Sequence, residues 1–356
     1  MKSKLPLASQ QQKALDNCTY CPKLCRAVCP VSAADRRETL TPWGKMSLTW
    51  MAARGQVETS VDVAEVAWAC TGCMACRDNC DHENPVAETL AMARGDYFAA
   101  GLAPAAAKQT ADGFDQHAER LAAATRSLGK SESVDEHSKI ALLVGCSYAT
   151  HAPEVAAAIV RVAAAFVGPV RLVDACCGLP LLLAGDQAGL SRAQDKLTEA
   201  LAGTTRIVAA DPGCTRFLGS RGAESLVALV ARGVDKLGRC PPETSGAPMR
   251  YHDPCQLGRG LGLYDEPRAI LHRVLGEAVQ EFARSRGDAV CSGGGGLLPE
   301  TAPSTSERIA EQRLDDHRAL GGGTVVTACG QSLRRFQQNG AEAVDLFTLV
   351  DRALTS

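Results

Sequence analysis

Eight thiols crowded into two short runs constrain this chain more than anything else in it. The runs are CTYCPKLCRAVCP, carrying Cys18, Cys21, Cys25 and Cys29, and CTGCMACRDNC, carrying Cys70, Cys73, Cys76 and Cys80. Four thiols within a dozen residues, twice over, is ligand spacing rather than core packing. The redox compartment points the same way. The opening segment MKSKLPLASQQQKALDN lacks the apolar stretch of a secretory signal. A cytoplasmic location is therefore expected, where glutathione and thioredoxin keep thiols reduced. The sixteen cysteines are then better read as metal ligands or buried thiols than as disulfides. At 356 residues the chain can also build two or three apolar cores, which excludes a small disulfide-stapled fold.

The spacing of the second run, two residues, two and then three, resembles that of bacterial two-cluster ferredoxins. Three thiolates so spaced wrap one corner of a [4Fe-4S] cube, and the fourth points to a neighbouring cube. The first run has one extra residue before its third cysteine and ends in Cys29-Pro30, which calls for a local bulge. Swapped ligation, carried over from the resemblance, assigns Cys18, Cys21, Cys25 and Cys80 to one cluster and Cys29, Cys70, Cys73 and Cys76 to the other. Two [4Fe-4S] clusters are therefore the expected cofactors. Structural zinc is the rival, but it ordinarily uses two C-x2-C pairs set about 15–20 residues apart. Trp43 and Trp50 fall on an amphipathic helical pattern between the runs and are read as packing residues.

This mainly α-helical, ferredoxin-like part, 1–100, is followed by a cysteine-free connector, 101–138. The connector opens Ala-rich and helical and closes in the polar segment GKSESVDEHSK, which has loop composition. From 139 onward, short apolar runs alternate with Ala-rich segments of helical period. That is the signature of an α/β arrangement with short parallel-type sheets and flanking helices. Strands are expected at 140–144, 170–173, 207–210, 249–252, 289–290 and 325–328, and helices at 153–167 and 225–237. A Pro-rich break, CPPETSGAP at 240–248, divides the region into 139–245 and 246–356. The two halves align as an internal duplication. Cys176-Cys177-Gly178 falls opposite Cys291-Ser292-Gly293, VAADPGC (208–214) falls opposite VTACGQS (326–332), and Cys146 and Cys255 each end the first strand of their half.

The segments that carry a family resemblance are VGC at Cys146, CCGLP at 176–180, DPGC ending in Cys214, HDPCQLGR around Cys255, CSGGGG from Cys291 and TAC ending in Cys329. On these the C-terminal region resembles the CCG cysteine-rich domain family, found in heterodisulfide reductase subunits and in the iron-sulfur subunits of glycolate and lactate oxidation systems. A complete motif of that family has five cysteines and in heterodisulfide reductase holds a non-cubane [4Fe-4S] cluster. The first copy keeps Cys146, Cys176, Cys177 and Cys214, with Asp211 standing for the fifth. The resemblance makes these four the ligands of one further iron-sulfur cluster. The second copy is degenerate, keeping Cys255, Cys291 and Cys329 with Ser292 and Ser332 at the other two positions. Neighbours in a strand point to opposite faces, so Cys176 and Cys177 must lie in a loop to converge, and Gly178 and the glycines at 293–296 suit such loops. His252 and Asp253 are read as a strand end and its turn, and Cys240 carries no motif.

Charge and hydropathy bound the partners. The 38 basic and 40 acidic residues leave a net charge of -2 and no basic block for nucleic acid. The longest apolar stretch, 155–167, is interrupted by Arg161 and falls short of the ~20 residues a membrane span needs. Membrane contact is therefore expected only through a partner. No Ser-His-Asp set, HExxH or Rossmann glycine motif stands out, which leaves flavin or nicotinamide to a partner. The expectation is an electron-transfer subunit linking a flavoprotein dehydrogenase, or other redox subunits, to a quinone pool or a disulfide-type acceptor. A catalytic heterodisulfide-reductase-like site in the first copy, and a zinc-binding adaptor without a redox role, are the alternatives.

Overall fold

The computed structural model describes residues 3–240 and 248–354, the side chain of Leu24 aside. Most of the Pro-rich break at 240–248 lies outside the described residues. The chain forms two compact units, each discontinuous in sequence. One joins 1–114 to 178–191 and 290–313, and the other joins 115–177, 192–289 and 314–356.

The first unit is helical. Helices Gln12–Thr19, Pro42–Ala53, Val61–Trp68 and Val86–Ala99 bury Leu15, Met46, Trp68, Leu90 and Tyr97 in one core. Two of them start where capping chemistry dictates: the hydroxyls of Thr41 and Ser60 accept from the N–H groups of Gly44 and Val63, and Pro42 takes the first helical position. A smaller core sets Cys29, Val31 and Leu40 against Leu298 and Ile309, so the segment 290–313 is built into this unit. The alanine-rich connector is broken rather than continuous. Left-handed Gly101 and Pro104 interrupt it, and it resumes as Ala105–Asp112 and Phe114–Leu128.

The second unit holds two four-stranded parallel sheets. The first contains β1 (Ile140–Leu143), β2 (Arg171–Leu172), β3 (Arg206–Ala209) and β4 (Glu224–Ser225) in the order β2-β1-β3-β4. The other contains β5 (Met249–Tyr251), β6 (Gln280–Glu281), β7 (Thr324–Thr327) and β8 (Ala343–Asp345) in the order β6-β5-β7-β8. The orders are the same, so the duplication read from the cysteines is also a duplication of topology. Register places Leu142 opposite Leu172 and Val208, and Tyr251 opposite Glu281 and Val326. Leu142, Val208, Tyr251 and Val326 share one core with Ile159 and Phe347, from helices Pro153–Val167 and Leu346–Leu354.

The strand expected at 289–290 is not one. Ala289 follows a single helical turn, Arg286–Asp288, and the outer strand is the exposed pair Gln280–Glu281. The expected helix at 225–237 begins as β4 and turns helical at Leu226–Arg232. Edge strands of two residues carry no apolar run, so hydrophobic pattern cannot find them. In each sheet the strand order reverses beside the first strand, between the two central strands. Ligand sites of open parallel sheets lie outside the carboxyl ends of the strands at such a switch point. Cys146 follows β1, Cys214 follows β3, Cys255 follows β5 and Cys329 follows β7.

Candidate metal centres

Each N-terminal cysteine run turns on one left-handed non-glycine residue, Lys23 (φ 70°) in the first and Met74 (φ 61°) in the second. Such backbone is uncommon outside glycine. Short helical turns follow at Leu24–Val28 and Ala75–Asp78, and the extra residue of the first run is taken up at Pro22. Two hollows result. One is lined by Cys18, Cys21, Cys25 and Cys80, with Trp43 and Asn84 beside them. The other is lined by Cys29, Cys70, Cys73 and Cys76, with Lys45 and Met74. Cys76 also reaches the first hollow.

The electrostatics fit a soft, net-negative group. Burial pushes the Cys18 thiol up to about 12 and Cys25 up to about 11. Burial, then Cys73 and Cys70, push Cys76 well above the ordinary thiol range. Thiols this weak stay protonated at neutral pH until a metal displaces the proton. Asn84 Nδ2 donates to Cys18 Sγ at 3.2 Å, and the Gly72 N–H donates to Cys70 Sγ at 3.4 Å. Such donors steady thiolate charge. Two buried cations flank the second hollow. Lys45 is 1 % exposed, with its ammonium 4.0 Å from Cys29 Sγ. Arg94, 2 % exposed, donates to the carbonyls of Ala67, Cys70, Leu183 and Gly296 at 2.9–3.1 Å. Burial pulls its guanidinium down to about 10. Among the described residues neither cation meets a carboxylate. A buried cation needs counter-charge, and thiolates around an anionic cluster would supply it.

In the second unit the loops after β1, β2 and β3 gather the thiols of the first copy. The Cys146 and Cys176 side chains are hydrogen-bonded, Cys177 bonds to Cys176, and Cys177 Sγ lies 3.5 Å from Cys214 Sγ. Asp211, at the fifth family position, caps the helix Pro212–Phe217 by accepting from the Gly213 and Cys214 N–H groups. A histidine joins this set. The donor atoms of His117, Cys146 and Cys176 lie within 4.8 Å of one another.

The second copy is less convergent. Cys329 is pushed up to about 12 by burial and Asp211, and Ser332 stands where a cysteine would complete the motif. Cys255 is half-buried after β5, with Gln256 Nε2 at 3.9 Å from its sulfur. Cys291 falls in the other compact unit, where the Gly293 N–H donates to its sulfur at 3.3 Å. His252 packs edge-on to Phe336 with ring centres 4.9 Å apart, and Asp253 pairs with Arg268 through both oxygens at 2.8 and 2.9 Å. Both are core and turn residues, as read from the sequence. Cys240 donates to the Leu349 carbonyl, away from the other thiols.

Comparison with known families decides what these parts are. Residues 14–84 match the 4Fe-4S dicluster domain, and residues 140–219 and 249–332 each match the cysteine-rich domain. The chain carries one dicluster domain and two cysteine-rich domains. It is similar to a subunit of the fumarate reductase (CoM/CoB) of Methanothermobacter marburgensis, with 26% identity over 90% of this chain and 67% of that protein. It is also similar to a subunit of the dihydromethanophenazine:CoB–CoM heterodisulfide reductase of Methanosarcina mazei, 29% identical over 29% of this chain and 25% of that one. A third relative is EtfAB:quinone oxidoreductase of Syntrophomonas wolfei, 36% identical over 27% of this chain and 13% of that one. The chain thus spans two thirds of the first relative and a quarter or less of the other two.

The dicluster domain depends on residues that cysteine spacing does not reveal. Lys45 lies on the helix Pro42–Ala53 between the runs and Arg94 on the helix Val86–Ala99 after them. The one signal is a cation inside an apolar helical pattern, which usually means a long side chain reaching the surface. Trp43, read as a packing residue, lines the first hollow and donates through Nε1 to the Thr19 carbonyl. Among the described residues no helix is long and apolar enough to cross a membrane.

Proposed function

We propose that the chain is the electron-transfer subunit of a redox complex, passing single electrons between a flavoprotein dehydrogenase partner and a quinone or disulfide-type acceptor. When bound, two [4Fe-4S] clusters supply the one-electron steps, one on Cys18, Cys21, Cys25 and Cys80 and one on Cys29, Cys70, Cys73 and Cys76. The observation that carries the reading is that these quartets line two hollows with Cys76 common to both. Two centres that share a wall are close enough to exchange electrons. The chain's own residues set the direction. Lys45 and Arg94 place positive charge at the second hollow, which favours the more negative, reduced state there. Electrons therefore run downhill from the Cys18 side to the Cys29 side. Three of the four cysteines on the Cys18 side are only half-buried, which suits docking of the donor there.

The relatives support the setting, since two are subunits of a fumarate reductase and a heterodisulfide reductase and one is a quinone oxidoreductase. We place the chain in the cytoplasm, reaching any membrane acceptor through a partner. Paramagnetic resonance of the reduced, anaerobically purified chain tests the ligand assignment. Cys80→Ser disturbs the same signal as Cys18→Ser, and Cys29→Ser disturbs the signal that Cys73→Ser does. If each variant instead disturbs the cluster of its own run, the swapped assignment is wrong.

A further inference from the structure

We propose that a cationic patch joining the two cysteine-rich copies is a binding site for a small, doubly charged oxyanion, with Arg120, His151 and Arg334 as its donors. Three helices build the patch. His151 ends Cys146–His151 in the first copy, Arg334 lies on Gly330–Gln338 in the second, and Arg120 lies on Phe114–Leu128 of the connector. Packing brings the first two together. A Cβ added at Gly330 would stand 3.0 Å from the Ser147 hydroxyl and 3.2 Å from the Tyr148 ring, so the two helices touch at that glycine. Arg334 and His151 come four residues after Gly330 and Ser147 and so lie on the same two faces. They meet there, with a guanidinium nitrogen of Arg334 3.0 Å from His151 Nε2. A guanidinium only donates, so Nε2 accepts and the ring proton sits on Nδ1, free to donate to a ligand. The connector brings the third group. The donor atoms of His117 and Cys146 lie within 4.8 Å of each other, which sets the connector helix beside the start of Cys146–His151, and Arg120 is one turn on from His117.

Charge is the second argument. Other arginines of this unit pair with carboxylates, Arg161 with Asp351 and Arg206 with Glu224. Arg334 instead meets a base. Burial, then Arg334 and Arg120, hold His151 below the ordinary histidine range, and burial, then Arg120 and His151, do the same to His117. The charged groups acting on both rings are thus all basic. Like charges gathered without a counter-charge repel one another, and an anion seated among them relieves the repulsion. The donor set also defines the ligand class. Two guanidinium groups from separate helices supply two positive charges, and their planar forks suit the oxygens of phosphate or carboxylate groups. A phosphate or a small dicarboxylate meets both requirements. The site holds whatever the neighbouring thiols bind, and it does not rest on the relay proposed for the dicluster domain.

Calorimetric titration of the full chain, purified anaerobically and held at low ionic strength, with inorganic phosphate and separately with malonate tests this. One saturable site per chain is expected for at least one of the two, with singly charged acetate bound at least ~10-fold more weakly. Tighter binding of phosphate names a phosphoryl ligand, and tighter binding of malonate names a dicarboxylate. Arg120→Gln and Arg334→Gln each weaken binding about 10-fold, and the double variant abolishes it. Arg318→Gln removes an exposed arginine that precedes β7 and pairs with Asp315, and it leaves binding unchanged. Melting curves without added anion report that each variant is folded. The proposal is overturned if neither dianion binds saturably to the parent chain, if binding survives in the double variant, or if Arg318→Gln weakens it as much. None of these outcomes bears on the two N-terminal clusters.

Discussion

Lys45 is the residue on which the asymmetry of the relay rests. A fully buried ammonium beside Cys29 would stabilise the extra electron of a cluster held there. One charge a few ångströms away in a partly polar interior contributes on the order of 100 mV. Lys45→Met keeps the bulk and removes the charge. In a redox titration followed by paramagnetic resonance, it lowers the potential of one cluster by roughly that amount and leaves the other in place. Equal shifts in both clusters, or none, contradict the role given to it. Neither this lysine nor Asn84, Arg94 and His117 is legible from the cysteine spacing. Ligand spacing is a local property of the chain, whereas these four come from elements brought to the thiols only by folding.

At the scale of elements, the glycine run of the second copy serves an unexpected neighbour. Its glycines suggest a loop around a ligand of its own, yet Gly295 and Gly296 press on the backbone of Cys70 and Thr71. A Cβ at Gly296 collides with the Cys70 carbonyl, and the residue is left-handed at φ +68°. Gly296→Ala is expected to displace Cys70 and cost about four of the chain's iron atoms. Gly101→Ala, equally left-handed at φ +77° but facing open space, costs a little stability and no iron. Iron analysis of the two variants separates close approach from backbone strain.

A second element-scale contact links β8 to the helix Cys146–His151, where the Tyr148 hydroxyl donates to Asp345 at 2.7 Å. Burial holds the Asp345 carboxyl up at about 7. Unfolded, it titrates near 4. Its contribution to stability is therefore fully present below about pH 4 and is lost as pH rises to about 7. Asp345→Asn should gain thermal stability relative to the parent across that window and hold the gain above it. A difference that does not vary with pH rules the linkage out. The β4, β6 and β8 strands that frame such contacts are edges of two or three residues. Too little apolar surface is invested in them for a pattern to show.

Over the whole molecule, the duplication was the most legible feature, because cysteine motifs recur at matching offsets and the central strands β1, β3 and β7 are largely buried apolar runs. The compact units were not legible. Gly178–Ser191 and Val290–Arg313 leave their sequence neighbours to pack with the dicluster core. The first begins on the glycine of the CCG motif, and the second begins one residue before the equivalent CSG and contains it. Arg94 secures each of them, through the Leu183 and Gly296 carbonyls. This contact lies 89 residues away in one case and 202 in the other, beyond the reach of any local pattern. Arg94→Leu leaves several carbonyls without their donor and is expected to cost about 3 kcal/mol or more of stability in chemical unfolding. A loss under about 1 kcal/mol would show the clamp to be incidental.

The central claim is that thiolates from both runs surround two inorganic cubes. Iron and acid-labile sulfide, counted per chain in one strictly anaerobic preparation, test it most directly. The account predicts about eight of each. A chain holding its metal without sulfide contradicts it.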